Sequence, residues 1–213
     1  MTAFLFDLDG TLADTIPGII HCSRLALDEL GHTHITEHQV RALIGIPIMQ
    51  SAERLVGAEQ AKLYFDAYQK HFYSGSLPHL SAFAGIDKLL HSLQQSEAKL
   101  AVGTSKRAVA AQQTLQQTGL DAYFSVVVSV ESCVQHKPEA EPALTALRLL
   151  KAEDEATVMI GDSVFDIRCG NNAGIDTCGV CWGTETADNL QASGAKHIAY
   201  NVDELKAILF AYL

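Results

Sequence analysis

The sequence has few basic residues and a clear excess of acidic ones. Its 213 residues include 15 Lys and Arg against 25 Asp and Glu, which gives a formal net charge of -10. Proteins hold the phosphate backbone of nucleic acids with clustered Lys and Arg, so this balance argues against a nucleic-acid partner. An anionic ligand must therefore be attracted by a local group of residues rather than by the overall charge.

The sequence also offers no obvious segment for a membrane or for export. The first apolar run, Ala3-Phe4-Leu5-Phe6, has no basic stretch ahead of it and is interrupted by Asp7 and Asp9. Neither a signal peptide nor a transmembrane helix has this pattern. We therefore expect no membrane partner and a cytoplasmic location.

The cysteines do not form an even set. Five cysteines in a chain of this size are not typical of a disulfide framework, so reduced thiols are expected. Cys178 and Cys181 have the CxxC spacing of metal knuckles and redox pairs, but no second pair or histidine cluster accompanies them. We interpret both as small apolar residues of a buried strand. The nucleotide-binding motif GxxxxGK[ST] is missing too, so nothing supports ATP hydrolysis.

What the chain does have is an alternation of strand and helix patterns. Predicted strands cover residues 3–6, 100–104, 125–130, 157–160 and 177–181, and predicted helices cover 107–118, 139–150, 164–173 and 203–213. This alternation predicts an α/β fold with a parallel sheet covered on both faces. Residues 16–72 show only helical periodicity, broken at Gly31, Gly45-Ile46-Pro47 and Gly57, and are therefore expected to be an insertion.

The most informative segment, Asp7-Leu8-Asp9-Gly10-Thr11-Leu12, directly follows the first predicted strand. Two carboxylates one residue apart are costly to bury, so a function must require them there. Because open α/β folds build their sites at the carboxyl ends of strands, we expect these acids at such an edge.

Three further polar clusters follow later strands. Thr104-Ser105-Lys106 opens a helix, where hydroxyls and free N–H groups can seat a phosphate or simply cap the helix. Lys137-Pro138 brings a cation to a strand end, although an isolated Lys is usually a solvated surface charge. The segment Gly161-Asp162-Ser163-Val164-Phe165-Asp166 adds two acids, which could serve a metal or favour the start of a helix.

Taken together, this order of clusters resembles the haloacid dehalogenase superfamily. Its four motifs are DxDGT, a Ser or Thr, a Lys, and GDxxxD, and the resemblance runs from Ala3 to about Trp182. The segments 161–167 and 172–183 are most similar to the branch of phosphoglycolate phosphatases and PpaX-like pyrophosphatases. The resemblance implies a Rossmann-like core of residues 1–13 and 83–213, with residues 14–82 as an inserted α-helical cap.

The resemblance also implies roles for the acids and the lysine. Asp7 would be the nucleophile that forms an aspartyl phosphate, and Lys137 would offset charge beside it. Asp9 would act as general acid and then general base. Mg²⁺ would be held by Asp7, Asp162 and the backbone carbonyl of Asp9, with water completing its coordination.

The remaining motif residues receive supporting roles from the same resemblance. Thr104 and the N–H of Ser105 would hold phosphoryl oxygens. Gly10 would let the backbone turn tightly beside the phosphate, and Thr11 would fix that turn. Asp166 would orient a ligand or a metal-bound water without itself binding the metal.

These residues favour a phosphatase for a small phosphorylated metabolite, such as a phosphoglycolate-like compound, a sugar phosphate or pyrophosphate. A dehalogenase does not need Asp9. A β-phosphoglucomutase-like mutase shares most of the motifs, but those mutases carry a Glu where this chain has Gly161 and an Arg in the loop that is Gly45-Ile46-Pro47-Ile48 here. A catalytically silent binding module would not need both Asp7 and Asp9. A monomer or a homodimer fits the sequence.

Specificity is expected to come from the insertion. The available cations there are Arg54, Lys62, Lys70 and His71, most of which we interpret as surface charges. The loop 44–47 either dips toward the substrate or simply joins two helices. Linkers near 12–15 and 78–85 would let the cap close and exclude water. His32, His34 and His38 lack acidic or Cys partners at ligand spacing and are expected to be loop histidines.

Overall fold

A six-stranded parallel sheet forms the framework of the chain in the computed structural model, which describes residues 2–74 and 80–213. The strands are β1 (Thr2–Phe6), β2 (Lys99–Gly103), β3 (Val126–Val128), β4 (Ala156–Gly161), β5 (Asp176–Val180) and β6 (His197–Ala199). All five residues of β1 are buried, as expected for a strand covered on both faces.

The order of the strands places β1 at the point where the chain changes direction. The order is β3-β2-β1-β4-β5-β6, so the chain first builds outward on one side of β1 and then on the other. Phe6, the last residue of β1, pairs with Val102 of β2 and Ile160 of β4. The carboxyl ends of these three strands therefore meet at the reversal point, where ligands bind in open α/β sheets.

Ten α-helices accompany this sheet in the described ranges. They are α1 (Ile16–Glu29), α2 (Glu37–Arg41), α3 (Ile48–Val56), α4 (Ala58–Tyr73), α5 (Ile86–Gln95), α6 (Ala108–Thr118), α7 (Glu141–Leu150), α8 (Val164–Asn172), α9 (Ala187–Ala192) and α10 (Val202–Phe210). Alternate residues of β1 pack on opposite faces, because side chains of a strand point alternately up and down. Phe4 and Phe6 contribute to the apolar core with α5, α6 and α10, whereas Ala3 and Leu5 pack with α7 and α8.

Helices α1 to α4 share a third apolar cluster. It contains buried residues of all four helices, including Leu27, Val40, Ala52 and Tyr64. Gly45 and Gly57 have φ values of 109° and 82°, in the region that favours glycine, and they mark the breaks before α3 and α4.

Two chain segments that run side by side join these helices to the sheet. Asp14 N–H donates to Ser81 O at 2.9 Å, and Phe83 N–H donates to Leu12 O at 3.0 Å. Ala13 and Ala82 form an isolated antiparallel bridge between the two segments. The chain therefore leaves the sheet and returns to it at nearly the same place.

The predicted α/β fold with its parallel sheet is confirmed. The prediction missed α5, α9 and the three-residue strand β6, and it made β3 too long, since only Val126–Val128 pair in the sheet. Part of the predicted second linker, residues 78 and 79, lies outside the described residues. None of the described helices has the length and apolar character needed to cross a membrane.

Candidate active site

The end of β1 brings Asp7 to the centre of the sheet edge. Asp7 N–H donates to Ile160 O at 2.8 Å, which continues the pairing with β4 by one residue, and the side chain is 5% exposed. The chain then turns at Gly10, whose φ is 81°. A Cβ at this position would lie 2.4 Å from Asp162 Oδ2, so both the turn and the close approach require glycine.

Lys137 joins two of the acids. Its ammonium donates to Asp7 Oδ1 and to Asp166 Oδ1, each at 2.6 Å, and all three side chains are buried. Burial alone would lower the pKa of Lys137, but the adjacent carboxylates of Asp166 and Asp7 raise it above its ordinary value. The predicted cation at this strand end is therefore a buried, charged partner of Asp7 rather than a solvated surface group.

Asp166 is held by the start of α8 as well as by Lys137. Its Oδ2 accepts from Ser163 N at 3.1 Å and from Ser163 Oγ at 2.6 Å. Ser163 Oγ in turn accepts from Asp166 N at 3.3 Å, a capping box that fixes the first turn of the helix. Both oxygens of Asp166 thus carry hydrogen bonds, which orient the carboxylate beside Lys137.

Asp162 is held by residues from two loops. Thr11 Oγ1 donates to its Oδ1 at 3.0 Å, and Thr184 donates to its Oδ2 through N–H at 2.7 Å and Oγ1 at 2.9 Å. Thr184 is not among the predicted site residues; it lies four residues beyond the end of β5 and reaches Asp162 through tertiary structure. Burial, then the Asp166 carboxylate, raise the pKa of Asp162 to about 7, and the Thr184 hydrogen bonds oppose this.

The carboxylates of Asp7, Asp162 and Asp166 form a buried acidic cluster. Each offers one oxygen, and these oxygens all lie within 4.8 Å of one another. Burial, and then the neighbouring acids, raise the pKa of Asp7 well above its ordinary value, although Lys137 opposes them. Three carboxylates around one ammonium leave an excess of negative charge, and an all-oxygen donor set suits a hard divalent cation. The donor chemistry therefore fits a metal ion such as Mg²⁺.

The carboxylate of Asp9 lies apart from this cluster and has different partners. Its Oδ1 accepts from Thr15 Oγ1 at the start of α1 and forms an ion pair with the Lys106 ammonium. Lys106 also lies 5.8 Å from the centroid of the Phe72 ring on α4. Lys106 belongs to the motif Thr104-Ser105-Lys106, but the sequence predicts no role for it, because its contacts with Asp9 and Phe72 are tertiary.

The turn after β2 contributes Thr104 and Ser105. Thr104 N–H is already used in the sheet, where it donates to Val128 O at 2.9 Å, and Thr104 Oγ1 accepts from Lys106 N at 3.2 Å. Ser105 N–H donates to no acceptor in residues 2–74 and 80–213. Ser105 Oγ donates to Gly45 O at 2.7 Å, so the loop 44–47 reaches this strand end.

A cavity of about 100 Å³ separates the strand ends from helices α1 to α4. Asp7, Asp9, Thr104 and Ser105 line one side. The opposite side is built from the insertion, including Gly45 and both of its neighbours. None of the four cations singled out in the insertion is among the described residues that line the cavity. These four are Arg54, Lys62, Lys70 and His71.

Comparison with known proteins identifies the class that this fold and site represent. The chain matches the haloacid dehalogenase-like hydrolases over residues 4–180. It is 31% identical to the plasmid phosphoglycolate phosphatase of Cupriavidus necator, over 98% of this chain and 93% of that protein. It is 29% identical to the pyrophosphatase PpaX of Listeria innocua, over 98% and 96% of the two chains.

The solved structures agree with these relatives. A crystal structure described as a predicted phosphatase from Clostridium acetobutylicum superimposes with a TM-score of 0.88 at 26% identity, over 99% of this chain and 98% of the other. The protein belongs to the haloacid dehalogenase-like hydrolase family. The predicted family and the prediction of a hydrolytic enzyme are confirmed.

Proposed function

We propose that the protein is a Mg²⁺-dependent phosphatase that hydrolyses a small phosphorylated metabolite through a phospho-aspartate at Asp7. The observation that carries the proposal is the environment of this residue. Lys137 holds Asp7 Oδ1, while Oδ2 accepts no hydrogen bond from any described residue. A buried carboxylate with one fixed and one unclaimed oxygen is suited to nucleophilic attack.

The two steps use Asp7 and Asp9 in turn. An Asp7 oxygen forms a bond to phosphorus as the bond to the leaving oxygen breaks, and Asp9 gives that oxygen a proton. Water then attacks the phosphorus, Asp9 takes its proton, and the bond to Asp7 breaks with release of phosphate. This exchange returns both residues to their starting states and follows the usual pattern of general acid and base catalysis.

Asp7, Asp162 and the backbone carbonyl of Asp9 would hold the Mg²⁺. When bound, the ion would neutralise the buried acids and stabilise charge on the transferring phosphoryl group. Thr11 and Thr184 orient Asp162 by their hydrogen bonds. We assign Asp166 a positioning role, because Ser163 and Lys137 already hold both of its oxygens.

The phosphoryl oxygens would be held by the turn after β2. Thr104 contributes its hydroxyl, and Ser105 contributes the backbone N–H that has no described acceptor. Lys137 offsets the charge on the Asp7 side, and Gly10 lets the backbone approach closely. Such positioning supports a reaction that depends mainly on charge stabilisation.

We further propose that residues 14–82 act as a cap over a core of residues 1–13 and 83–213. The separate apolar cluster of helices α1 to α4 supports this division, as do the paired segments around Ala13 and Ala82. Closing such a cap would exclude water from the phosphoryl transfer. The contact between Ser105 and Gly45 joins the two parts in the present arrangement.

Phosphate release tests the proposal. Purified protein with Mg²⁺ should release phosphate from at least one member of a panel of sugar phosphates, phosphoglycolate, nucleotides, aryl phosphates and pyrophosphate. Asp7→Asn should abolish release, whereas Asp154→Asn, an exposed loop acid, should not. Equal activity of wild type and Asp7→Asn would refute the proposal. Dependence on a bisphosphate activator would indicate a phosphosugar mutase instead.

Trapping separates an enzyme from a silent binding module. Beryllium fluoride with Mg²⁺ mimics an aspartyl phosphate, so it should raise the melting temperature of the wild-type protein. The shift should vanish in Asp7→Ala and persist in Asp154→Asn. A module that binds phosphate without forming a covalent bond would show no dependence on Asp7.

A further inference from the structure

Among the described residues, the side of the cavity formed by the insertion carries no charge. Its lining from the insertion is made of apolar side chains, three tyrosines, a few small polar groups and a glycine. These residues are Ile19, Ser23, Val40, Leu43, Ile44, Gly45, Ile46, Ile48, Ser51, Leu55, Tyr64, Tyr68, Gln69, Phe72 and Tyr73. Among the described residues, the insertion therefore offers a leaving group no cation and no anion.

Two cations line the cavity among residues 2–74 and 80–213; both come from the sheet side, and each has an acidic partner. Lys106 pairs with Asp9, with side chains that are 11% and 13% exposed. Arg107 pairs with Glu131 through Nε and Oε1 at 2.9 Å, and both side chains are about half exposed. A second anionic group on a substrate would therefore compete with Asp9 for the buried Lys106 or share Arg107 with Glu131 at a half-exposed position.

The cations singled out in the insertion lie away from the cavity. Lys62 pairs with Asp66 on the same helix, and Lys70 pairs with Glu29 of α1 at 2.6 Å. Arg54 is exposed and does not line the cavity. The helical faces thus direct the positive charges to the surface and the apolar residues inward.

One face of α4 gives the cavity an aromatic wall. Tyr64, Tyr68 and Phe72 follow one another at a spacing of four residues, with ring centroids 6.4 Å and 6.1 Å apart. Burial raises the pKa of Tyr64 to about 12, an effect that the neighbouring Ser23 hydroxyl opposes, so Tyr64 is a neutral hydroxyl at physiological pH. Tyr64 Oη is fully buried, and apart from the nearby Ser23 hydroxyl no described residue offers it a hydrogen bond.

Neutral polar groups are available beside this wall. An unpartnered buried hydroxyl is costly and is relieved when a ligand supplies the missing hydrogen bond. The amide of Gln69 also lines the cavity and bonds to no described residue. Ser51, by contrast, already donates to Leu43 O at 3.1 Å. The cavity therefore suits a leaving group that is apolar or aromatic and carries a neutral hydrogen-bonding group.

We propose that the substrate is a phosphomonoester whose leaving group is an uncharged, largely apolar or aromatic alcohol, and not a second phosphoryl or a carboxylate group. This inference rests on the phosphatase function proposed above. The proposed substrate class differs from the substrates that appear in the names of two relatives, a phosphoglycolate phosphatase and a pyrophosphatase. Burying an anion against Ile, Leu and Tyr side chains without a free cation selects against it.

Matched substrates test the preference on the full-length protein with Mg²⁺. Phenyl phosphate and 4-carboxyphenyl phosphate form an aryl pair, and propyl phosphate and phosphoglycolate form an alkyl pair. The neutral member of each pair should have a kcat/KM at least about tenfold higher. Equal values, or a preference for the anionic member or for pyrophosphate, would overturn the inference and leave the phosphatase function standing. Absence of phosphate release from every substrate would instead overturn the proposed function.

Variants at Gln69 show whether the cavity is what discriminates. Gln69→Lys adds a cation to a half-buried position, and Gln69→Met is its neutral control. Gln69→Lys should raise kcat/KM for 4-carboxyphenyl phosphate relative to phenyl phosphate by about fivefold or more, whereas Gln69→Met should leave the ratio unchanged. If the ratio stays the same in both variants, the cavity does not contact the leaving group and the inference fails.

The Tyr64 hydroxyl gives an independent test. Tyr64→Phe should lower kcat/KM for 4-(hydroxymethyl)phenyl phosphate relative to phenyl phosphate, because only the first of these substrates can bond to the hydroxyl. Tyr200→Phe, on an exposed residue that does not line the cavity, should change neither substrate. Equal effects of Tyr64→Phe on both substrates would contradict a hydrogen bond to the leaving group.

Discussion

The buried acidic cluster predicts that the metal-free protein becomes less stable as the pH rises. Burial and Asp166 raise the pKa of Asp162 from an ordinary value of 3.8 to about 7 in the folded protein. Between these two values the folded state holds a proton that the unfolded chain has lost. Because stability falls with pH wherever the folded state binds more protons, raising the pH across this window destabilises the fold. The raised pKa of Asp7 acts in the same direction.

One extra proton in the folded state changes the free energy of unfolding by about 1.4 kcal/mol per pH unit. From pH 5.5 to 8, Asp162 alone should therefore lower the free energy of unfolding by about 2 kcal/mol, most of it below pH 7, and its contribution should level off above pH 8. Mg²⁺ binds the deprotonated carboxylates, so it should stabilise the protein more at pH 8 than at pH 5.5.

Urea unfolding between pH 5.5 and 8, with EDTA or with Mg²⁺, measures both effects. Asp162→Asn is the control, because it removes the group with the raised pKa and should flatten the curve relative to the wild type. Histidines titrate in the same range in both proteins, so the difference between the two curves isolates the cluster. The reasoning is refuted if the free energy of unfolding of the wild type, relative to that of Asp162→Asn, rises with pH. It is also refuted if Mg²⁺ stabilises the wild type equally at pH 5.5 and pH 8.

Three further predictions follow from the contacts of the site. Lys137→Met leaves Asp7 and Asp166 buried without their shared cation, so it should cost about 3 kcal/mol in urea unfolding and lower kcat/KM about 100-fold or more; a stable, active variant would contradict the ion pairs. Gly10→Ala should lower the free energy of unfolding by at least about 2 kcal/mol more than Gly31→Ala does in the same assay. Both glycines have positive φ, but only Gly10 of the two has an atom within 4 Å of the added Cβ. Thr184→Val keeps the N–H but loses the hydroxyl bond to Asp162, so calorimetry should show Mg²⁺ affinity weaker by about tenfold; unchanged affinity would place Asp162 outside the metal site.

The sequence predicts the sheet edge well because its signals are local. An apolar run followed by Asp7, and another followed by Asp162, indicate both the strand and the place where it ends. The parallel pairing of β1 with β2 and β4 then brings those ends together without further information. Lys137 was predicted at the same edge, and its pairing with Asp7 follows from that geometry.

Other contacts depend on tertiary structure and leave no local pattern. Lys106 meets Asp9 from the turn after β2 and Phe72 from α4, which is distant in sequence. Thr184 reaches Asp162 only because β5 pairs with β4. The short strand β6 has three residues, too few to show the alternation of a strand. The cations of the insertion illustrate the same limit, since helix packing decides which of them reach the cavity.

The charges of the site connect the proposed metal to the proposed substrate. Asp7, Asp9, Asp162 and Asp166 bring four carboxylates, and Lys106 and Lys137 bring two ammonium groups. With Asp9 counted in its ion pair with Lys106, one divalent cation would balance the charges of these six side chains. In the proposed site, a phosphoryl dianion would be held by the metal, Lys137 and backbone N–H groups, each of which favours negative charge. A second anionic group on the leaving side would add charge for which the described part of the insertion provides no cation, next to a wall of Ile, Leu and Tyr. Under the two proposals, the electrostatics of the core and the neutrality of the insertion would favour the same substrate class, one phosphate on an uncharged alcohol.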